Sequence, residues 1–162
     1  MNQKLKYFKG DLISLARKGH FDVIIHGCNC FCTMGAGIAA QISKEYPGAY
    51  EADLLTTRGD ITKLGTYTKF RTDDGFTIIN AYTQHGLRGW GGNNGDVFEY
   101  DSFEKILNTL ADEFNTPTNF GFPYIGMGLA GGDSVRIVRL IEDFANRVDS
   151  SGSTVTLVEY KK

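Results

Sequence analysis

The turn from an apolar strand into a helix reads Met34-Gly35-Ala36-Gly37-Ile38-Ala39-Ala40 in this sequence. The strand before it is Asp22-Val23-Ile24-Ile25-His26-Gly27, and the helix extends to Tyr46, before Pro47 and Gly48. Glycines at such a turn allow positive φ angles and close approach of the backbone, and the first free N–H groups of the helix direct positive partial charge at an anion. The stretch therefore predicts a phosphate-binding loop.

A second glycine-rich loop follows the short apolar run 120–123. It reads Gly126-Met127-Gly128-Leu129-Ala130-Gly131-Gly132-Asp133 and leads into an amphipathic segment over 134–148. Both loops carry the spacing G-x-G-x-x-G/A, which is a weak signal when it occurs once. Loops after parallel strands leave the same carboxyl edge of a sheet, where ligands of α/β proteins bind. Two such loops facing each other predict a ligand with two linked phosphates.

Composition and charge set broad limits on the protein. With 162 residues, of which 41% are hydrophobic, the chain predicts a single globular domain over 1–162. The net charge of −2 gives no electrostatic footprint for broad nucleic-acid binding. No apolar run is long enough to span a bilayer, and residues 1–6 lack the apolar region of a secretion signal. We expect a cytoplasmic, monomeric protein without membrane contact.

Strand and helix patterns alternate along the rest of the chain. The predicted strands are 5–9, 22–27, 66–70, 77–81, 120–123 and 154–160, and the predicted helices are 12–18, 38–46, 49–58, 100–114 and 134–148. The Asp74-Gly75 pair predicts an antiparallel hairpin between the third and fourth strands. The sum predicts an α/β fold with a mixed sheet of about six strands between helix layers.

Two polar residues near strand ends are candidates for ligand contacts. Asp11 is predicted either as the N-cap of a helix or as an acceptor for an exocyclic amine such as that of adenine. Asn29 can donate to and accept from a sugar hydroxyl, or it can serve as a turn residue.

The segment from His26 to Cys32 places a histidine and three cysteines at alternating positions, which suggests a metal site if the backbone stays extended. The C-x-C-x-C spacing is not that of common zinc sites, and no second ligand pair follows, so we predict no metal. Thiols in a chain without an export signal are expected to be reduced. The positions six residues after the cysteines hold no arginine, which argues against a phosphatase with a cysteine nucleophile.

Two other classes of phosphate-binding protein fit poorly. The sequence contains no Gly-Lys dipeptide and therefore no Walker A loop. A classical dinucleotide fold places its glycines directly after the first strand, whereas Gly35 lies well beyond Gly27. A nicotinamide dehydrogenase is therefore a minor alternative.

Five motifs follow one another from the first strand towards the last. They are Gly10-Asp11-Leu12, His26-Gly27-Cys28-Asn29-Cys30, Met34-Gly35-Ala36-Gly37-Ile38-Ala39, Asn80-Ala81-Tyr82-Thr83-Gln84 and Pro123-Tyr124-Ile125-Gly126-Met127-Gly128-Leu129-Ala130-Gly131-Gly132-Asp133. In this order they resemble the motifs of a macro domain, most closely the branch named for ADP-ribose 1″-phosphate phosphatase. The resemblance implies a three-layer α/β/α fold that binds ADP-ribose or ADP-ribose 1″-phosphate without a cofactor.

The resemblance also implies a role for individual residues. Asp11 would hold the adenine amine, Leu12 would contact the adenine edge through its backbone, and Asn29 would meet the distal ribose. The two glycine loops would hold the two sides of the diphosphate. The full predicted ligand-binding set is Asp11, Leu12, Asn29, Met34, Gly35, Ala36, Gly37, Ile38, Ala39, Tyr82, Ile125, Gly126, Met127, Gly128, Leu129, Ala130 and Gly131.

Catalysis needs a base for water and donors for the developing charge. The candidates are Asp133, His26 and His85, although Asp133 also fits a helix N-cap and His26 a core histidine. A related branch that removes ADP-ribose from carboxylates uses a lysine and an aspartate, and the aligned positions here hold Gln84 and Ala130. This departure argues against a mechanism with a lysine adduct. The resemblance to the phosphatase branch implies a phosphatase acting on ADP-ribose 1″-phosphate, which is the leading hypothesis. The alternatives are an ADP-ribosyl hydrolase acting on protein or nucleic acid and a non-catalytic reader of ADP-ribosylated partners.

Overall fold

The computed structural model describes residues 4–90, 95–127 and 131–161. Within these residues, the strands are β1 (Lys6–Gly10), β2 (Val23–Cys28), β3 (Tyr67–Arg71), β4 (Thr77–Tyr82), β5 (Asn119–Phe122) and β6 (Thr154–Tyr160). The α-helices are α1 (Leu12–Arg17), α2 (Gly37–Glu45), α3 (Pro47–Leu54), α4 (Tyr100–Glu113) and α5 (Ser134–Asp149), and a short 3₁₀ helix covers Ile61–Lys63.

The described strands form one sheet with the order β1-β6-β5-β2-β4-β3. Every neighbouring pair is parallel except β3 and β4, which form the antiparallel hairpin that the Asp-Gly turn predicted. The prediction of a mixed, mostly parallel sheet of six strands is therefore confirmed.

Helices cover both faces of the sheet because side chains alternate along each buried strand. On β2, Val23 and Ile25 face the cluster that includes buried residues of α4 and α5. Ile24, between them, faces the cluster formed with residues of α1, α2 and α3. This arrangement confirms the three layers. None of the helices in the described residues combines the length and apolar character that a membrane span needs.

Helix α3 differs from its prediction at both ends. It begins at Pro47, because proline is tolerated in the first turn, where its missing N–H would have no partner. It ends before the predicted Arg58, because both the backbone N and the hydroxyl of Thr56 donate to the Asp53 carbonyl, at 3.0 and 2.6 Å. A hydroxyl that competes for a backbone carbonyl weakens the continuing helix.

Gly121 in β5 allows the sheet and α1 to pack closely, and we expect Gly121→Ala to destabilise the fold. A β-carbon at this position would lie 2.8 Å from the Phe21 ring and 2.9 Å from Leu12 Cδ1. Both side chains are buried, so we expect overpacking to cost about 1–3 kcal/mol in urea-induced unfolding.

Gly35→Ala is the matched control for this measurement, because a β-carbon at Gly35 would meet no atom within 4 Å. It should unfold at the wild-type urea concentration. Equal stability of Gly121→Ala and Gly35→Ala would contradict the close packing at β5.

Candidate functional site

A cavity of about 670 Å³ opens at the carboxyl edge of the sheet. Its described lining comes from the last residues of β2 and from the segments that follow β2, β4 and β5: Gly27, Cys28, Asn29, Thr33, Gly35, Ala36, Gly37, Ile38, Ala39, Gln84, Leu87, Arg88, Pro123, Tyr124, Ile125 and Gly126. This volume lies within the range of small-molecule sites. The structure thus brings the first glycine loop and the start of the second loop to one cavity.

The first loop presents the N-terminus of α2 to the cavity. Ala36, the residue before α2, has an extended backbone and forms no side-chain capping hydrogen bond. By contrast, the carboxylates of Asp11 and Asp133 cap α1 and α5. The first-turn N–H groups of a helix have no partner within the helix, so at α2 they are available to an anion in the cavity.

The second loop is closed by its own backbone. The Gly132 N–H donates to the Gly126 carbonyl at 2.8 Å, so the two ends of the loop lie together. Gly126 has a φ of +73°, and a β-carbon there would lie 2.3 Å from the Phe98 ring, so only glycine fits. The predicted ligand residues Gly128, Leu129 and Ala130 lie outside the described residues.

Asn29 lines the cavity, and both ends of its amide are engaged in the local turn. Its Oδ1 accepts from the Phe31 N–H at 2.8 Å, and its Nδ2 donates to the hydroxyl of Thr33 at 2.7 Å. The turn role considered for Asn29 is therefore present, and the side chain lies at the cavity wall at the same time.

Several predicted ligand residues lie away from the described cavity lining. Asp11 begins α1 and accepts the Ser14 N–H at 2.9 Å, and Leu12 is buried in the core. Met34 and Tyr82 are buried together in a small cluster behind the first loop. Met127 packs against the core on the α4 and α5 side. Their roles in ligand binding remain predictions.

His26, the first of the predicted catalytic residues, lies inside the protein with 1% of its surface exposed. Its Nε2 pairs with Oδ1 of Asn80 at 2.7 Å, and Nδ2 of Asn80 donates to the Ala49 carbonyl. Burial lowers the pKa of His26 to about 4, and the hydrogen bond to Asn80 opposes this effect. This arrangement ties β2 to β4 and α3, which is the structural role considered for the residue.

The other two catalytic candidates also have structural partners. His85, expected at an exposed position, is half-buried, with its Nε2 2.9 Å from the Gly59 carbonyl and its ring edge-on to Phe31. Asp133 is exposed, and its Oδ1 accepts the N–H groups of Val135 and Arg136 at the start of α5. Neither residue is part of the described cavity lining.

The three cysteines are buried, with Cys28 in the cavity wall, and are not disulfide-bonded. The alternation ends with β2 at Cys28, and Cys32 has a φ of +56°. Burial raises the pKa of Cys28 far above its usual value and that of Cys30 to about 11, so both thiols stay protonated at neutral pH. In the described ranges, no group of three His, Cys, Asp or Glu side chains could hold a metal ion.

A charged cluster that was not predicted from the sequence lies beside the buried cysteines. The Tyr82 hydroxyl donates to Oδ1 of Asp53 at 2.7 Å, and Lys63 Nζ lies 4.7 Å from the Tyr82 ring centroid. Lys63 also donates to the Cys30 carbonyl at 3.0 Å. Burial raises the pKa of Asp53. These partners come from separate elements, so no local sequence pattern reveals them.

Part of the cavity wall was not predicted from the sequence. Thr33, Leu87, Arg88 and Tyr124 line the cavity but belong to no predicted set. Only their position in the chain could have indicated them. Each follows the end of β2, β4 or β5, and the loops after parallel strands converge at one edge of the sheet.

A curated relative matches nearly the whole chain. An uncharacterized 17.5 kDa protein of Enterobacteria phage T4 is 36% identical over 155 residues, which cover 90% of this chain and 92% of the phage protein. An ADP-ribose 1″-phosphate phosphatase of Meyerozyma guilliermondii is 42% identical over 48 residues, 30% of this chain and 27% of that protein. No protein-family model matches the chain.

Solved structures show the same fold. The macrodomain of Mycobacterium tuberculosis DarG superposes with a TM-score of 0.68 at 21% identity and covers 99% of each chain. The Trypanosoma brucei macrodomain in complex with ADP-ribose gives a TM-score of 0.68 at 12% identity, covering 98% of this chain and 64% of that one. At these identities the likeness concerns the fold.

Because His26 is buried, we expect the free energy of unfolding to decrease in mild acid. Between pH 6.5 and about 4 the unfolded chain binds a proton at His26 that the folded protein does not, so the free energy of unfolding decreases as the pH falls. The slope should reach about 1 kcal/mol per pH unit between these values, and it should disappear well above pH 6.5, where His26 is neutral in both states. Urea unfolding from pH 7 to 4.5 measures it.

His26→Gln should flatten this pH dependence, because glutamine keeps a polar partner for Asn80 and does not titrate. The exposed His20 offers the matched control, and His20→Gln should keep the wild-type slope. The same slope in wild type and His26→Gln would assign the acid sensitivity to another group.

Proposed function

We propose that the chain, which has the fold of solved macrodomains, is a member of the macrodomain family and binds ADP-ribose in the cavity at the carboxyl edge of the sheet. The observation that carries the proposal is the uncapped N-terminus of α2, which faces the cavity that the second glycine loop also borders. Main-chain N–H groups with no capping side chain suit the oxygens of a diphosphate. The partial match to an ADP-ribose 1″-phosphate phosphatase adds support for this ligand.

The strand order suggests how the ligand lies. The diphosphate would sit above β5 and β2, between the two glycine loops. The adenine would extend towards β1, where Asp11 and Leu12 begin α1. The distal ribose would extend towards the ends of β2 and β4, where Asn29 and Gln84 respectively line the cavity.

We propose further that the protein hydrolyses ADP-ribose 1″-phosphate. Water would attack the terminal phosphorus, and the bond between that phosphorus and the oxygen on the distal ribose would break, giving ADP-ribose and phosphate. The partial matches to two phosphatases named for this substrate support the proposal. Of the predicted bases, Asp133 is the strongest candidate, because it is exposed and directly follows the second loop.

Binding without turnover is the second candidate, and one observation favours it. Among the described residues that line the cavity there is neither a carboxylate nor a histidine. The buried thiols stay protonated, so they do not replace a base. A domain with this lining can bind ADP-ribose through its backbone without hydrolysing an attached group.

We expect ADP-ribose to bind wild-type protein and to bind Gly35→Leu at least about tenfold more weakly, as measured by calorimetry. Gly35 lines the cavity beside the first loop, and a large side chain there would occupy the space next to α2. Gly35→Ala, with a single added methyl group, is the size control and should bind more tightly than Gly35→Leu.

The same titration followed by NMR should shift the amide signals of Gly37, Ile38 and Ala39, which begin α2. Unmoved signals at saturating ADP-ribose would contradict the diphosphate site. A screen with ADP-ribose 1″-phosphate, an ADP-ribosylated peptide and an ADP-ribosylated oligonucleotide, analysed for product, separates the phosphatase from an ADP-ribosyl hydrolase and from a reader.

Asp133 can be tested by separating its capping role from a role as base. Asparagine caps helices as well as aspartate does, so Asp133→Asn should keep wild-type stability, while Asp133→Ala should lose about 1 kcal/mol. If Asp133 is the base, phosphate release by Asp133→Asn should fall by about 100-fold or more. Unchanged release by this variant would leave Asp133 with the capping role alone.

A further inference from the structure

We propose that Arg88 binds the terminal phosphate of ADP-ribose 1″-phosphate and thereby gives the cavity a preference for a phosphorylated distal ribose. The inference rests on the proposed function, because it requires the ADP-ribose part of the ligand in the cavity. Arg88 was in no predicted set, and the structure places it in the cavity wall, in the segment after β4.

The backbone at Arg88 is held in a defined turn. The Trp90 N–H donates to the Leu87 carbonyl at 3.1 Å, which closes a β-turn with Arg88 and Gly89 at its two central positions. Gly89 has a φ of +97°, as the third residue of a type II turn requires. The base of the Arg88 side chain is therefore fixed at the edge of the cavity.

The guanidinium of Arg88 lies against Gly131, at the end of the second glycine loop. A β-carbon on Gly131 would be 3.1 Å from Nη1, 3.2 Å from Cζ and 3.3 Å from Nε of Arg88. Any side chain at this position would press on the guanidinium, and the φ of +71° also favours glycine. The missing side chain of Gly131 thus makes room for Arg88 beside the loop that we assign to the diphosphate.

Charge distinguishes Arg88 from its neighbours in the cavity. Among the described lining residues it is the one with a charged side chain, and the other donors at the first loop are backbone N–H groups. A phosphate monoester carries a charge of about −1.5 to −2 at neutral pH. Enclosing such a group costs free energy unless a cation pairs with it. The planar guanidinium can donate two parallel hydrogen bonds to phosphate oxygens.

The position of the turn places Arg88 closer to the distal ribose and its terminal phosphate than to the adenine. The order β1-β6-β5-β2-β4 places Asp11 at one side of the sheet edge and the segment after β4 at the other. With the adenine towards β1, the distal ribose and its 1″ substituent lie towards β4, on the side from which Arg88 comes. The diphosphate between the glycine loops already has backbone donors.

The test compares ADP-ribose with ADP-ribose 1″-phosphate on Arg88→Gln, Arg88→Lys and wild-type protein. ADP-ribose affinity is measured by calorimetry. The affinity of the 1″-phosphate is measured by displacement of ADP-ribose, with free phosphate assayed in the same samples. Arg139→Gln removes the same charge from an exposed position of α5 outside the cavity lining and is the matched control.

We expect Arg88→Gln to weaken binding of the 1″-phosphate by about 10-fold to 100-fold, which is typical of a lost hydrogen bond to a charged group. Its affinity for ADP-ribose should change less than about threefold, Arg88→Lys should recover part of the loss, and Arg139→Gln should match wild type. A structural role alone would weaken both ligands and lower the melting temperature.

Equal weakening of both ligands by Arg88→Gln would overturn the assignment and place the guanidinium on the diphosphate. No change for either ligand would remove Arg88 from the site altogether. If wild-type protein binds ADP-ribose but does not prefer the 1″-phosphate, the Arg88 proposal fails and the proposed binding function stands. If wild-type protein binds neither ligand, the proposed function itself is wrong.

Discussion

The parallel pairing of β2 with both β4 and β5 is the constraint on which the site depends. Since all three strands run in one direction, the segments that follow them leave the sheet at the same edge. The first glycine loop, the turn that carries Arg88 and the start of the second glycine loop are thereby brought around one cavity, although they are far apart in the chain. Each strand is short, and the core residues on both faces hold the pairing in register.

Several buried polar side chains beneath this cavity pair with one another. His26 pairs with Asn80, and Tyr82 pairs with Asp53 beside Lys63. Buried polar groups need partners, so these side chains fix the relation of β2, β4 and α3 rather than extend towards a ligand. The described cavity lining combines glycine and alanine backbone and apolar side chains such as Ile38, Leu87 and Ile125 with the amides of Asn29 and Gln84 and the guanidinium of Arg88. Recognition by a cavity of this kind depends on the shape and charge of the ligand.

Local signals in the sequence and long-range contacts contributed differently to the site. The first glycine loop could be predicted because spacing, small residues and the start of a helix are properties of one short segment. The capping roles of Asp11 and Asp133 are local in the same way, and both are present. Arg88 had no such signal, because its approach to Gly131 joins two loops that meet only when β4 and β5 pair on either side of β2.

The sequence by itself determined the alternation of strands and helices, the hairpin and the two glycine loops, because periodicity or a contiguous motif encodes each of them. Only the tertiary structure decided which side chains face the cavity. It buried His26 and Tyr82 inside the protein and placed Thr33, Leu87 and Arg88 in the wall of the cavity. The physical reason is that burial and contact depend on how strands pair and helices cover them, and neighbours in the chain do not encode that packing.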